Sequence, residues 1–276
     1  MKVIPTVSQF SNAVRSAARP LGLVPTMGFL HAGHMSLVDR ARADNATLAA
    51  SIFVNPAQFG PKEDFATYPR DMESDLAKLE DAGVDLVFTP SLEEMYPEEF
   101  DTYVEVSHLT ERLEGEARPG HFRGVATVVC KLLAIAWPDR AYFGQKDAQQ
   151  CLVVKKLNAD LNLRAEIVVV PTVREADGLA LSSRNSYLDS EERKAATVLY
   201  RALSLAQDLG TSNATEIRER IRALIEAEPL AEIDYVSVAD AETLDELDEV
   251  SGPALVSLAV RIGGTRLIDN VTLEFA

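Results

Sequence analysis

Apolar runs and helically spaced stretches take turns along the first two thirds of the chain. Uninterrupted apolar or β-branched runs at residues 21–25, 48–53, 86–89, 102–106, 141–143 and 167–170 predict strands. Period-3.6 spacing at 35–43, 72–82, 125–136 and 148–161 predicts helices between them. Strands that are apolar throughout, rather than alternating, belong to a parallel sheet covered by helices. Ligands of such sheets collect beyond the C-terminal strand ends, and segments 27–34, 55–59, 144–147 and 173–174 each follow a predicted strand. After about residue 173 the texture changes. Polar-faced helices at 190–209 and 215–227 flank Gly210-Thr211-Ser212-Asn213, and strands are expected at 233–238, 254–262 and 265–273, with Gly263-Gly264 as a hairpin signal. The expected fold is α/β: a Rossmann-like parallel sheet flanked by helices over residues 1–172, then a smaller, lid-like C-terminal α+β domain over 173–276. The acidic stretch 240–251 reads as a solvated connection.

Composition narrows the partners. The chain has 276 residues, and its 43 Asp+Glu outweigh 27 Lys+Arg to give a net charge of −16. Nucleic-acid binding relies on cations that neutralise phosphates, so no nucleic-acid partner is expected. The same charge repels a nucleotide unless the site gathers cations of its own, which makes Arg118, Arg123, Lys146 and Arg184 informative. Residues 1–5 do not read as a secretory signal, and no segment approaches the roughly 20 apolar residues of a membrane span. With only Cys130 and Cys151, both in apolar helical segments, the expectation is a cytoplasmic chain without membrane partners. This inventory leaves no Cys/His metal cluster, and the Asn-x-Thr triplets at Asn45, Asn213 and Asn270 carry no meaning in such a compartment.

The chemistry concentrates where the first predicted strand breaks. Pro25 and Gly28 end it, and His34 falls near a helix start, whose unpaired N–H groups and partial positive charge favour an anion by roughly 0.3–1 kcal/mol. His31 and His34, three apart, fall on one face if the turn is helical, as donors to phosphate. Gly33, lacking a Cβ, lets a flat ring approach the backbone. Asn55 and Gln58, in Asn55-Pro56-Ala57-Gln58-Phe59, offer amides to hydroxyls or a carboxylate, although Asn-Pro is equally a simple turn starter. Arg118 and Arg123 sit in a Gly/Pro-rich loop before a long apolar helix and suit an anionic substrate or phosphate. Gly144-Gln145-Lys146-Asp147 puts an ammonium and a carboxylate at a helix start. Leu181-Ser182-Ser183-Arg184 follows the 174–178 loop and offers two hydroxyls and a guanidinium, each charge-assisted bond contributing about 1.5–3 kcal/mol.

In this order, Pro25-Thr26-Met27-Gly28 with His31-Ala32-Gly33-His34, then Asn55–Phe59, Arg118-Pro119-Gly120-His121-Phe122, Gly144–Gln150 and Leu181–Arg184 resemble the pantothenate synthetase family of the His-x-Gly-His nucleotidylyl-transfer superfamily. The resemblance covers nearly the whole chain and is weakest after about residue 200. It implies ATP-dependent condensation of pantoate with β-alanine to pantothenate, AMP and pyrophosphate, in a Mg2+-using homodimer. It implies ATP contacts at Pro25, Thr26, Met27, Gly28, His31, Gly33, His34, Gly144, Lys146, Asp147, Val173, Leu181, Ser182, Ser183 and Arg184. His34, His31, Lys146 and Arg184 would be catalytic, with Lys146 on the phosphates. Asn55, Gln58, Arg118 and Gln150 would hold pantoate or β-alanine, and segment 182–184 would form a mobile ATP loop. No metal ligand is assigned. Ala148 stands where the family usually has an aromatic. Two other readings stay open at this point, a nucleotidylyltransferase that stops at the adenylylated acid and a non-catalytic nucleotide-binding protein. An aminoacyl-tRNA synthetase fits poorly, because the chain is short and acidic.

Overall fold

The structure, a computed structural model, describes residues 1–61 and 63–274. Its contacts divide the chain into two compact units, residues 1–145 with 149–171, and residues 146–148 with 172–276. The first unit holds strands β1 (Lys2–Ile4), β2 (Leu21–Thr26), β3 (Thr47–Ile52), β4 (Leu86–Phe88), β5 (Arg140–Gly144) and β6 (Glu166–Val170). Helices α1 (Val7–Arg15), α2 (Ala32–Asp44), α3 (Met72–Asp81), α4 (Leu92–Met95), α5 (Glu114–Ala117), α6 (His121–Ala136) and α7 (Ala148–Asp160) are interleaved with them. All six strands pair in parallel, in the order β1-β4-β3-β2-β5-β6.

Alternate residues of each strand feed opposite faces. Leu21 and Leu23 join Phe10, Phe88, Val125 and Leu133 in one core, whereas Val24 joins Leu37, Val38, Leu48, Leu79 and Val87 in the other. Connections lead one way from β2 toward β3 and β4, and the other way from β5 to β6. Residues 27–34 and Gly144 therefore flank the point where strand order reverses, the expected position for a ligand crevice.

The second unit consists of α8 (Ser190–Ala195), α9 (Val198–Asp208), α10 (Ala214–Glu226) and the antiparallel sheet β7 (Ala231–Asp240), β8 (Ala254–Ile262), β9 (Thr265–Leu273). Leu199, Leu203, Ile217 and Ile221 pack on Val256, Leu258 and Val260. Gly263, at φ +54°, makes the turn expected at Gly263-Gly264.

The structure departs from the sequence pattern at several points. Residues 102–106 join no sheet. Val106 is buried in the core, but the Val104 N–H donates to Thr127 Oγ1 on α6 at 3.0 Å instead of to a strand. The edge position belongs to β1, too short for its periodicity to show. The predicted helix 190–209 is two helices, because the Thr197 and Leu199 N–H groups bond three residues back, to Lys194 and Ala196, and tighten the chain there. The acidic connection 240–251 is largely exposed, as expected, and is also pinned at two points. Leu244 and Val250 are buried, and Asp240 accepts the N–H groups of Glu242 and Thr243, which hold its carboxyl below its ordinary pKa.

The segment before the 182–184 loop is also anchored. Residues 174–180 close a small hairpin in which Arg174 pairs bidentately with Asp269 at 2.6 and 2.9 Å and lies over the Tyr200 ring. Gly178 turns it at φ +92°, and a Cβ there would lie 1.8 Å from Tyr200. Strain and overlap together give Gly178→Ala an expected loss of at least about 2 kcal/mol, read as a lower denaturant midpoint. A midpoint unchanged from the parent would contradict this anchoring.

Candidate active site

Strand β2 ends in a turn held from below. The Thr26 hydroxyl donates to the Ser51 carbonyl at 2.8 Å and accepts the Gly28 N–H at 3.2 Å. Gly28 has φ +82° and Phe29 φ +51°. The Asp75 carboxylate of α3, 1% exposed, accepts the Phe29 and Leu30 N–H groups, both at 2.7 Å, and Lys78 Nζ donates to the Leu30 carbonyl at 2.7 Å. A side chain on Gly28 would crowd Asp75 Oδ2 at 2.9 Å, so the turn requires both the glycine's left-handed backbone and its empty face. Pro25 and Met27 are half-buried along this turn.

Helix α2 begins at Ala32, three residues earlier than the periodicity indicates, and its two histidines cap it. His31 Nδ1 accepts the Gly33 N–H at 3.1 Å, and His34 Nδ1 accepts the His31 N–H at 3.4 Å. The His34 and Met35 N–H groups bond the His31 carbonyl at 2.9 and 3.0 Å. This changes the expected anion site, because N–H groups of the first turn are already engaged by His31. An imidazole accepting at Nδ1 carries its proton at Nε2, so the capping pattern assigns both rings a neutral tautomer with Nε2–H as donor. The two rings are in contact, with centroids 4.1 Å apart.

Asn55 and Gln58 form a second cluster. Asn55, 1% exposed, caps the short helical turn Pro56–Gln58. Its Nδ2 donates to Gln58 Oε1 at 3.0 Å and to the Gly124 carbonyl at 3.1 Å, and its Oδ1 accepts Tyr96 O–H at 2.8 Å and the Ala57 N–H at 3.3 Å. All four bonding positions of that amide are used, which makes Asn55 a brace for Gln58. The bond from Asn55 turns the Gln58 amide so that Nε2 points to Met27 Sδ at 3.3 Å, which joins this cluster to the β2 turn. Helix α6 presses on the same turn through Gly124, where a Cβ would fall 2.2 Å from the Ala57 oxygen.

Arg118 is engaged within the protein. Its Nε and Nη2 hold the two oxygens of Glu63, both at 2.7 Å, so its charge is matched within the protein. Burial raises the Glu63 carboxyl, but the hydrogen bonds and charge of Arg118 outweigh that and leave it below the ordinary value. Arg118 Nη1 also contacts His121 Nε2 at 3.1 Å, while His121 Nδ1 lies 2.8 Å from the Gln58 carbonyl. With the guanidinium as donor, Nε2 accepts and Nδ1–H donates to Gln58. Arg123 instead lies over the exposed Tyr103 ring at 4.8 Å. Gln149, next to the proposed Gln150, is consumed in bonds to residues 109, 112 and 114, whereas Gln150 is half-buried on α7. Gly144 closes β5, with nothing within 4 Å of where a Cβ would stand.

In the second unit, Lys146 Nζ lies 3.9 Å from Asp147 Oδ1 in the turn that leads into α7. The Leu181 N–H bonds the Val173 carbonyl at 3.0 Å, closing the base of the 174–180 hairpin. Ser182 Oγ accepts the Arg184 N–H at 3.3 Å and caps the turn Ser183–Tyr187, in which Ser183 is buried. Sequence reasoning missed Asp75, Lys78, Glu63, Tyr96 and the bracing role of His121. None belongs to a spacing motif, and His121 alone lay inside a string already singled out.

The family model for pantoate–β-alanine ligase matches residues 1–272. A pantothenate synthetase of Roseiflexus sp. (strain RS-1) is 60% identical over 99% of this chain and 100% of that protein. The pantothenate synthetase structure from Thermus thermophilus superposes with a TM-score of 0.94 at 49% identity, covering 98% of this chain and 99% of that one. The pantoate–β-alanine ligase of Francisella tularensis, complexed with β-γ ATP and β-alanine, gives 0.83 at 36% identity, with 98% and 97% covered.

Burial, then the Arg118 charge, push the His121 pKa down to about 4, against a smaller upward effect from its bond to Gln58. The unfolded chain takes up this proton near pH 6.5 and the folded chain does not, so the contribution is complete above about pH 6.5 and is lost as pH falls toward 4. Stability is expected to fall across that window by an amount on the order of 2–3 kcal/mol from this group. The difference between parent and His121→Asn denaturation curves at pH 7 and pH 4.5 measures it. A pH-independent difference would remove the assigned tautomer.

Proposed function

Because the chain belongs to the pantoate–β-alanine ligase family, we propose that it joins pantoate to β-alanine with cleavage of ATP to AMP and pyrophosphate. The observation that carries the reading is the mutual capping of His31 and His34, which turns two imidazoles into adjacent Nε2–H donors at the crevice end of β2.

A carboxylate acylates amines poorly at neutral pH. Pantoate therefore attacks the α-phosphorus of ATP through a carboxylate oxygen, the bond to the bridging oxygen breaks, and pyrophosphate leaves. The free amine of β-alanine then attacks the acyl carbon of pantoyl adenylate, forming the amide and releasing AMP. Preorganised donors stabilise charge as it shifts toward the leaving pyrophosphate, each contributing about 3 kcal/mol, and orientation supplies much of the rest. We assign His31, His34, Lys146, Ser182, Ser183 and Arg184 to the phosphates. Pro25, Thr26, Met27, Gly28 and Gly33 form the cradle of the nucleotide, with Gly144, Asp147, Val173 and Leu181 completing its contacts. Gln58 and Gln150 hold pantoate, with Asn55, His121 and Arg118 bracing Gln58.

Mg2+ fits this assignment as a companion of the nucleotide. Among the described residues no group of three or more His, Cys, Asp or Glu is gathered to hold a metal, and Mg2+ commonly keeps phosphate and water ligands around one or two carboxylates. Asp147 beside Lys146 is such a carboxylate. When bound, the ion neutralises phosphate charge. The second unit, carrying segment 182–184, is the lid-like part in this reading. In this reading the protein acts as a cytoplasmic homodimer; its two cysteines are free, and no helix among the described residues is long and apolar enough to cross a membrane.

One assay tests the reaction: ATP, Mg2+ and pantoate are incubated with and without β-alanine while AMP and pyrophosphate are followed. Steady AMP release only with both substrates is expected. Pyrophosphate release at full rate without the amine would instead indicate a nucleotidylyltransferase. His34→Ala and Lys146→Ala are each expected to lose at least about a hundredfold in kcat while keeping the parent circular dichroism spectrum. Near-parental turnover in either variant overturns the role given to that residue.

A further inference from the structure

Lys146 stands two residues after β5 in sequence, yet its contacts group it, with Asp147 and Ala148, with the second unit, while Gln145 and Gln149 group with the first. The bond that ties it there comes from β9. Asn270 Nδ2 donates to the Lys146 carbonyl at 2.9 Å, and Asn270 is only 4% exposed. An asparagine beginning an Asn-x-Thr triplet is thus an interior residue with a defined partner.

Its surroundings show why this amide is held. Asn270 stands opposite Ser257 on β8, and Ser257 opposite Ser237 on β7, so the three share one cross-strand row. Both serine hydroxyls are buried without a hydrogen-bond partner, so this row is polar inside the sheet. The neighbouring residue, Asp269, points to the opposite face, as the pleat requires, and there takes the bidentate pair from Arg174. Arg174 Nη2 reaches back to the Asn270 carbonyl at 3.4 Å. Two adjacent residues of β9 thereby fix the turn bearing Lys146 on one face and the hairpin leading to Ser182 on the other.

A lysine side chain has four rotatable bonds, and its head group can be placed only if its main chain is fixed. A hydrogen bond to the Lys146 carbonyl sets the plane of the 146–147 peptide and with it the direction in which the side chain leaves the turn. We infer that Asn270 is a positioning residue for Lys146, holding the root of that side chain so that its ammonium meets the ATP phosphates. The inference rests on the phosphate role proposed for Lys146.

The test is a double-mutant cycle in the full-length chain with ATP, pantoate and β-alanine. Asn270→Asp has the same size but no N–H donor, and Asn270→Ala removes the group. Each is expected to lower kcat about tenfold or more, with KM for pantoate within about twofold of the parent, because misplacement of a charge-stabilising group by about 1 Å is costly in rate. On a Lys146→Ala background, Asn270→Ala is expected to change kcat by less than about twofold, since nothing remains to be positioned. A merely structural role would lower kcat again in that background and would overturn the inference, as would parental kcat in Asn270→Asp. If Asn270→Ala does not fold, Asn270→Asp on both backgrounds completes the cycle. Parental turnover in Lys146→Ala alone would overturn the phosphate role itself, whereas a dead Lys146→Ala beside fully active Asn270 variants would overturn only this inference.

Discussion

A carboxylate moved from water to a protein interior loses several kcal/mol of solvation unless donors replace the water. Asp75, almost wholly buried, recovers it from the main-chain N–H groups of Phe29 and Leu30. Those groups are available only because residues 28 and 29 adopt the left-handed backbone, so the buried charge and the unusual turn require each other. Release the carboxylate and the N–H groups lose their partner; straighten the turn and the charge is stranded. That mutual dependence fixes where the chain leaves β2, hence where His31 can cap α2, and hence where both imidazoles point. The catalytic reading of the histidines thus rests on an acid whose bonds go to the main chain just before them.

The same economy of charge recurs around Gln58. In a chain of net charge −16, a guanidinium is the obvious partner for an anionic substrate, yet Arg118 is matched by Glu63 and also contacts His121. Its effect on Gln58 is transmitted through a neutral ring to a main-chain carbonyl. Asn55 does the equivalent for the side-chain amide, itself fixed by Tyr96, whose phenol burial raises to a pKa of about 12 and so keeps protonated as a donor. A fully satisfied network of this sort rigidifies its members, and rigidity is what positions an amide that has no charge to guide it.

Much of this was legible in the residues and some was not, for identifiable reasons. The parallel sheet followed from strands apolar on both faces, such as residues 21–24, and the histidine pair followed from its position after a Pro/Gly break. Strand β1 was illegible because three residues have no period, and 102–106 misled because an apolar extended segment looks the same whether its N–H groups meet a strand or Thr127. Arg118 was read by residue type, and type does not reveal that Glu63, 55 positions away, already holds it. Asp75 carries no motif at all. Its meaning lies in a bond across 45 residues, which only the packing of α3 against the β2 turn discloses.

The assigned tautomers bear on why histidine, rather than lysine, occupies the end of β2. A permanent cation at that point would bind ATP tightly in the ground state, because the triphosphate already carries its charge there, and uniform binding of that kind leaves kcat unchanged. A neutral Nε2–H is a weaker partner for resting ATP, but its bond strengthens as negative charge builds on the oxygen leaving the α-phosphorus. Capping is what permits this. Each Nδ1 accepts a backbone N–H, which leaves Nε2 as the position that carries the donor proton. In the proposed reading the helix start acts on phosphate through its imidazoles, which keep its first N–H groups occupied and present in their place donors suited to a charge that moves.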